Sequence, residues 1–163
     1  MGAKQARYQA HWDRMAKRFD TLIAPVERMV IGDARDWVCS RAHGKVLELA
    51  IGTGLNLAHY PAEVELVGIE WSSAMLRQTD RKARELGCAV QLVRGDAARL
   101  PFDDAQFDTV VCTLSLCCIP DYEGALAEAA RVLRPGGHLL IADHIVSSRR
   151  PVRWAQRLVE AVT

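Results

Sequence analysis

An acid and two glycines stand close together at the end of one apolar run. Glu48 lies inside the run of residues 46–51, and Gly52 and Gly54 follow directly. Such a run is typical of a buried parallel strand, and glycine lets backbone approach a ligand where a Cβ would obstruct it. Residues 55–58 could then start a helix whose N-terminal amide groups face that ligand. The pattern predicts a site for a nucleoside-type cofactor.

The spacing of the glycines separates two classes of such cofactor. A dinucleotide-binding turn reads Gly-x-Gly-x-x-Gly, and its third glycine would fall at Leu57. A carboxylate at Glu48 would repel a diphosphate and attract a cation. We therefore favour a cationic cofactor, and an NAD-dependent oxidoreductase is the alternative.

Length, composition and charge fit one domain over residues 1–163. The chain has 50% hydrophobic residues and a net charge of +1, which allows a sizeable core and gives no electrostatic reason to expect nucleic acid. It has no run of about 18 apolar residues and no apolar signal-peptide core, so we expect a cytoplasmic protein with at most peripheral membrane contact. The five cysteines include no Cys-x-x-Cys pair, so we predict reduced thiols and no metal site.

Apolar spacing predicts the elements that must position these residues. A stripe at spacings of four and three predicts a first helix over 8–22, and a second helix is predicted from Pro25 to Gly44. The predicted strands are 46–50, 66–70, 89–93, 107–113 and 138–142, with helices after Ser72 or Ser73 and after Asp121. Alternating strands and helices predict a parallel sheet in a three-layer α/β sandwich. In such a sheet, ligands bind beyond the carboxyl ends of the strands.

Several segments resemble class I S-adenosylmethionine-dependent methyltransferases. Residues 48–54 are similar to the family's first motif, with Ala50 where many members carry glycine, and 66–70 resemble its second strand. Residues 94–102 resemble the adenine-binding segment, and 107–114 with 132–137 resemble the fourth strand and the turn into the fifth. The similarity covers roughly residues 44–146. It implies a Rossmann-like methyltransferase fold with sheet order 3-2-1-4-5 and S-adenosylmethionine as cofactor.

The resemblance also implies roles for single residues. Glu70 would bind the ribose hydroxyls and Asp96 the adenine, although Asp96 could instead cap a turn. The full predicted cofactor set is Glu48, Ala50, Gly52, Gly54, Asn56, Glu70, Trp71, Met75, Asp96, Ala97, Thr113 and Leu114. Tyr8, Trp12 and Phe19 are predicted to form a lid, or alternatively core, and Cys117 and Cys118 to lie on the acceptor side. His144 is a candidate catalytic base.

The predicted reaction is in-line transfer of a methyl group from S-adenosylmethionine, leaving S-adenosylhomocysteine. The chain resembles thiol, phospholipid N- and quinone C-methyltransferases, so the acceptor is predicted to be small or lipid-like, with sulfur, nitrogen and carbon all open. Members of the family normally continue with a helix and a hairpin, and this sequence ends inside that helix. A cofactor-binding module without activity is therefore an alternative. We also expect the final hairpin to be absent and the chain to form a homodimer through the edge of the fifth strand.

Overall fold

The structure is a computed structural model that describes residues 3–26 and 32–143. Of the predicted helices, those after Ser72 and Asp121 are present, whereas a 3-10 turn, Leu57–His59, lies where a helix is predicted after Gly54, and the third strand is followed directly by the fourth. The helices are α1 (Ala3–Met15), α2 (Phe19–Val26), α3 (Ala34–Cys39), α4 (Ser73–Leu86) and α5 (Tyr122–Val132). The strands are β1 (Lys45–Leu49), β2 (Glu65–Glu70), β3 (Val90–Arg94), β4 (Phe107–Thr113) and β5 (Leu133–Ala142).

The five strands form one parallel sheet in the order β3-β2-β1-β4-β5, which confirms the predicted order. Glu48 of β1 is in register with Gly68 of β2 and with Val111 of β4. The strands next to β1 therefore end at nearly the same level. Residues from different parts of the chain meet at that edge.

Helices cover both faces of the sheet, because successive residues of a buried strand point to opposite sides. Leu47 and Leu49 pack in a core with α5, whereas Val46 packs in a second core with residues of α3 and α4. Glu48 therefore shares the face of Val46. The predicted three-layer sandwich is confirmed by this arrangement.

Two predicted boundaries are wrong. The first stripe is divided into α1 and α2, and α2 starts at Phe19 and contains Pro25 near its end. Strand β5 begins at Leu133, since Leu133 pairs with Phe107 before a register shift in the ladder. The predicted last helix and His144 lie outside the described residues.

Strand β5 lies at an edge of the sheet within residues 3–26 and 32–143. Leu139 and Ile141 on this strand are 37% and 38% exposed. An apolar strand edge of this kind is suited to pairing with another segment. Self-association through β5 remains a prediction.

A buried polar cluster connects α3, β1 and β4. Glu48 is 3% exposed, and its Oε1 and Oε2 accept hydrogen bonds from Asn56 Nδ2 at 2.8 Å and from the Tyr60 hydroxyl at 2.9 Å. Asn56 Nδ2 also donates to Thr113 Oγ1 at 2.7 Å. Arg35 donates to Asn56 Oδ1 at 2.8 Å and to Thr113 Oγ1 at 3.3 Å. The cluster thus fixes the end of β1 against the end of β4.

Burial raises the pKa of Glu48 from 4.5 to about 7, although hydrogen bonds from Tyr60 and Asn56 and the charge of Arg35 oppose the rise. The folded protein then holds a proton on Glu48 that the unfolded chain has lost. This difference makes stability fall as pH rises through the interval between the two pKa values.

We expect Glu48→Gln to remove this pH-dependent loss of stability. A shift from 4.5 to about 7 corresponds to about 3 kcal/mol in the free energy of unfolding. The free energy of unfolding of the variant minus that of the wild type should therefore be about 2 to 4 kcal/mol larger at pH 8 than at pH 4.5. Urea denaturation at several pH values measures this change.

Tyr60→Phe serves as a matched variant, because it removes a donor that favours the charged form of Glu48. Its cost in stability should be larger at pH 8 than at pH 4.5. A difference between Glu48→Gln and the wild type that does not change with pH would contradict this account of the cluster.

Candidate functional site

The turn after β1 combines an open face with a tightly packed face. Ala50, Gly52 and Gly54 have φ values of 49°, 60° and 75°, all in the left-handed region. A Cβ on Gly54 would lie 2.9 Å from Leu57 and from Thr79 side-chain atoms, so glycine allows α4 to pack closely there. A Cβ on Gly52 would meet only the Ala50 carbonyl oxygen, at 3.8 Å. Gly52 therefore borders open space.

Ala50 has a backbone conformation that favours glycine, the residue that many members of the family carry at this position. A left-handed φ is unfavourable for a residue with a Cβ, and glycine adopts it readily. The glycine that many family members carry at this position suits this conformation. In this chain the turn is kept in place by hydrogen bonds, including one from Thr79 Oγ1 to the Gly52 carbonyl at 2.6 Å.

Glu70 connects the glycine turn to the start of α4. The carboxylate is 9% exposed, and it accepts hydrogen bonds from Gly52 N at 3.2 Å and from Ser72 N at 2.7 Å. Burial raises the pKa of Glu70, which the backbone donors Ser72 and Gly52 oppose. Each carboxylate oxygen has a further acceptor position. Glu70 can therefore accept hydrogen bonds from ligand hydroxyls while it keeps its backbone donors.

The helix that follows Glu70 begins directly after Ser72, one of the two N-cap positions that the sequence predicts. Ser72 is the N-cap of α4, and its Oγ accepts a hydrogen bond from Met75 N at 3.1 Å. Trp71 is half-buried beside Glu70, whereas Met75 is only 3% exposed. Met75 thus contributes mainly to packing beneath the start of α4.

Asp96 acts as a turn cap, which was the structural alternative for this residue. Its Oδ1 accepts a hydrogen bond from Ala98 N at 3.0 Å. The side chain is half-buried, and the neighbouring Ala97 is 9% exposed. Because a carboxylate has about four acceptor positions, the cap leaves room for a ligand contact. An adenine contact remains a prediction.

Two aspartates attach α1 and α2 to the site. Asp13 Oδ1 accepts hydrogen bonds from Ser72 Oγ at 2.5 Å and from Ala74 N at 3.1 Å. Asp20 accepts a hydrogen bond from Thr53 Oγ1 at 2.5 Å and pairs with Lys82 Nζ at 2.7 Å. The two N-terminal helices therefore contact both the glycine turn and the start of α4.

Aromatic side chains support this attachment. The rings of Trp12 and Phe19 meet edge to face, with centroids 6.0 Å apart. Tyr8 lies in α1, and its side chain is outside what the structure describes. The predicted lid thus lies beside the site, but the polar contacts of Asp13 and Asp20 were missed. Their positions directly after Trp12 and Phe19 were the available signal.

The predicted acceptor side follows β4. Thr113 is 7% exposed and belongs to the cluster around Glu48, and Leu114 has a left-handed φ of 53°. Cys117 is exposed and Cys118 half-buried, in a short 3-10 turn. Leu116 N in that turn donates to Asp143 Oδ2 at 2.9 Å. The role of His144 stays a prediction.

The geometry divides the predicted residues into two sets. Gly52 and Glu70 border the open crevice and contact each other, whereas Glu48, Asn56 and Thr113 form a cluster within the protein. Glu48 has both oxygens bonded to protein donors, which indicates a positioning role. Arg35 and Tyr60 complete this cluster and were not predicted, because nothing in their sequence context connects them with Glu48.

Among residues 3–26 and 32–143, no group of three or more His, Cys, Asp or Glu side chains is arranged to hold a metal ion. None of the helices in the same part of the chain has the length and apolar character needed to cross a membrane.

Comparisons with known proteins agree with the fold and identify the family. The family described as a methyltransferase domain matches residues 47–141. The chain is 38% identical over 116 residues to the phosphatidylethanolamine N-methyltransferase of Cereibacter sphaeroides, covering 70% of this chain and 57% of the relative. It is also 38% identical over 113 residues to the demethylmenaquinone methyltransferase of Thermus thermophilus, covering 68% and 51%. The chain thus spans about half the length of these relatives.

A solved structure supports the same assignment. The crystal structure of the YcgJ protein from Bacillus subtilis is 30% identical, with a TM-score of 0.64, over 76% of this chain and 53% of that chain. The chain belongs to the methyltransferase-domain family, within the class I S-adenosylmethionine-dependent methyltransferases.

Proposed function

We propose that this chain binds S-adenosylmethionine in the crevice at the carboxyl ends of β1, β2 and β4 and transfers its methyl group to a lipid-like acceptor. The observation that carries the proposal is the Glu70 carboxylate, which bridges Gly52 N and Ser72 N beside the open face of Gly52. The remaining acceptor positions of the Glu70 carboxylate suit hydrogen bonds from the ribose hydroxyls of the cofactor. Trp71 and Ala97 offer apolar surface for the adenine.

The cofactor would supply an electrophilic methyl group on a sulfonium. The residues of the chain then have to position the reactants and exclude water. Glu70 would orient the ribose, and Asp13 and Asp20 would hold α1 and α2 over the site. The cluster around Glu48 would keep β1 and β4 aligned beneath the transfer path. The mechanism calls for no covalent intermediate with the protein.

Relatives support a lipid-like acceptor. One relative is named for phosphatidylethanolamine and another for demethylmenaquinone. Both names describe amphipathic molecules with long apolar chains. A thiol acceptor remains the alternative, and the family assignment leaves the NAD-dependent oxidoreductase hypothesis without support.

We expect Glu70→Ala to weaken binding of S-adenosylhomocysteine by about 1 to 3 kcal/mol, because hydrogen bonds to a charged group are lost. Isothermal titration calorimetry measures this change. Glu65→Ala is the matched control, since Glu65 is the exposed first residue of the same strand. Unchanged affinity of Glu70→Ala, in a variant with a normal melting curve, would contradict the proposed ribose role.

We expect Asp20→Asn to weaken the attachment of the lid without unfolding the sheet. Its contacts with Thr53 and Lys82 are partly exposed, so the cost in stability should be below about 1 kcal/mol. Affinity for S-adenosylhomocysteine should fall about three- to tenfold, a free energy of about 0.7 to 1.4 kcal/mol. Asp80→Asn is the control, because Asp80 pairs with Arg84 on the exposed face of α4. An equal loss of affinity in both variants would count against a lid.

The acceptor class is tested by measuring S-adenosylhomocysteine formation with three acceptors. We expect turnover with vesicles that contain phosphatidylethanolamine or with a demethylated quinone, and less with a small alkyl thiol. Preference for the thiol would replace the lipid-like acceptor in the proposal. Cofactor binding without turnover on all three would favour a binding module.

A further inference from the structure

We propose that Cys117 and Cys118 form a chelating dithiol that binds a monosubstituted trivalent arsenical at the mouth of the crevice. The two Sγ atoms lie 3.5 Å apart, and Cys117 is exposed. A disulfide would bring them to about 2.0 Å, so both residues are thiols. A trivalent arsenic atom with two sulfur ligands is pyramidal, so its sulfurs lie closer together than the separation of about 3.8 Å that a tetrahedral centre with bonds of about 2.3 Å would require. The pair therefore needs little movement to bind one soft atom.

The surroundings of the dithiol favour an arsenical over a metal ion. Zinc takes four protein ligands in structural sites and three in catalytic sites. Within the described part of the chain, no cluster of three potential ligands exists, so the dithiol offers only two sulfurs. A trivalent arsenic atom with one organic substituent needs two further bonds. Thiols supply both, and they are soft ligands suited to a soft centre.

The other described cysteines do not offer the same chemistry. Cys39 and Cys112 are fully buried in the core, where a reagent in solution does not reach their sulfur atoms. Cys88 is half-buried and contacts the backbone carbonyl groups of Leu57 and Leu86. Cys117 is exposed to solvent, and its Sγ lies 3.5 Å from the Sγ of Cys118.

The turn that carries the dithiol follows the carboxyl end of β4, on the side of the parallel sheet where β2 ends in Glu70. A hydrogen bond with Cys117 raises the pKa of Cys118, and burial and the negative charges of Asp143 and Glu70 act in the same direction. The short turn that carries both cysteines is fixed by the bond from Leu116 N to Asp143 Oδ2 at 2.9 Å. A bound arsenical would therefore occupy the side where we propose the acceptor to enter.

The reaction balances without an oxidant. An organic arsenic(III) oxide forms two arsenic–sulfur bonds, its oxygen leaves as water with the two thiol protons, and arsenic keeps its oxidation state. Loss of methyl transfer after arsenical binding can be measured only if the proposed function is correct. Arsenical binding by the two thiols does not depend on that function, so the two proposals can fail separately.

Phenylarsine oxide, added to the reduced protein, is the probe. Native mass spectrometry should show one phenylarsenic group per chain, which 2,3-dimercaptopropanol removes and an equal amount of thiol groups from 2-mercaptoethanol does not. Cys117→Ser and Cys118→Ser should each lower the affinity at least tenfold, with melting curves near that of the wild type. Cys88→Ser, the matched control, should bind like the wild type.

Undiminished binding in either Cys117→Ser or Cys118→Ser would overturn the proposal, as would loss of binding in Cys88→Ser. To exclude misfolding as the cause of lost binding, the circular dichroism spectra and melting curves of Cys117→Ser and Cys118→Ser are compared with those of the wild type. A folded variant that has lost arsenical binding supports the dithiol, and unaltered arsenical binding in these variants contradicts it.

Discussion

Two buried carboxylates at the ends of neighbouring strands constrain the rest of this structure. A carboxylate removed from water is costly unless hydrogen bonds satisfy it. Glu48 therefore requires Asn56 and Tyr60, and Glu70 requires the amides of Gly52 and Ser72. These requirements fix the glycine turn, the start of α4 and the end of β4 relative to one another. The open face of Gly52 thus lies between segments held at defined positions.

The two carboxylates differ in what they can offer a ligand. Both oxygens of Glu48 are bonded to side chains inside the protein, so it acts on the site through the elements it joins. Glu70 is bonded only to backbone amides and lies beside a turn with an open face. The difference separates a positioning residue from a candidate ligand-binding residue. It also explains why an acid in the first motif and an acid after β2 serve one site in different ways.

The apolar runs and glycines predicted the strands next to the site, because they record local requirements of the backbone, whereas the sheet order was implied by the resemblance to the methyltransferase family. It did not predict the break between α1 and α2, since the apolar stripe continues across it. The partners Arg35 and Tyr60 also escaped prediction, because their contacts with the Glu48 cluster are set by packing between distant segments. Asp13 and Asp20 were visible beside the aromatic residues, but only the fold shows that they reach Ser72 and Thr53.

The central claim is that the cofactor lies at the carboxyl ends of β1 and β2. Amide chemical-shift mapping with S-adenosylhomocysteine tests it most directly. We predict saturable shifts at Gly52, Ser72 and Ala98, and little change at Val64 and Gln91 toward the opposite end of the sheet. Shifts concentrated at Val64 and Gln91, or no saturable shift at Gly52 and Ser72, would contradict the account.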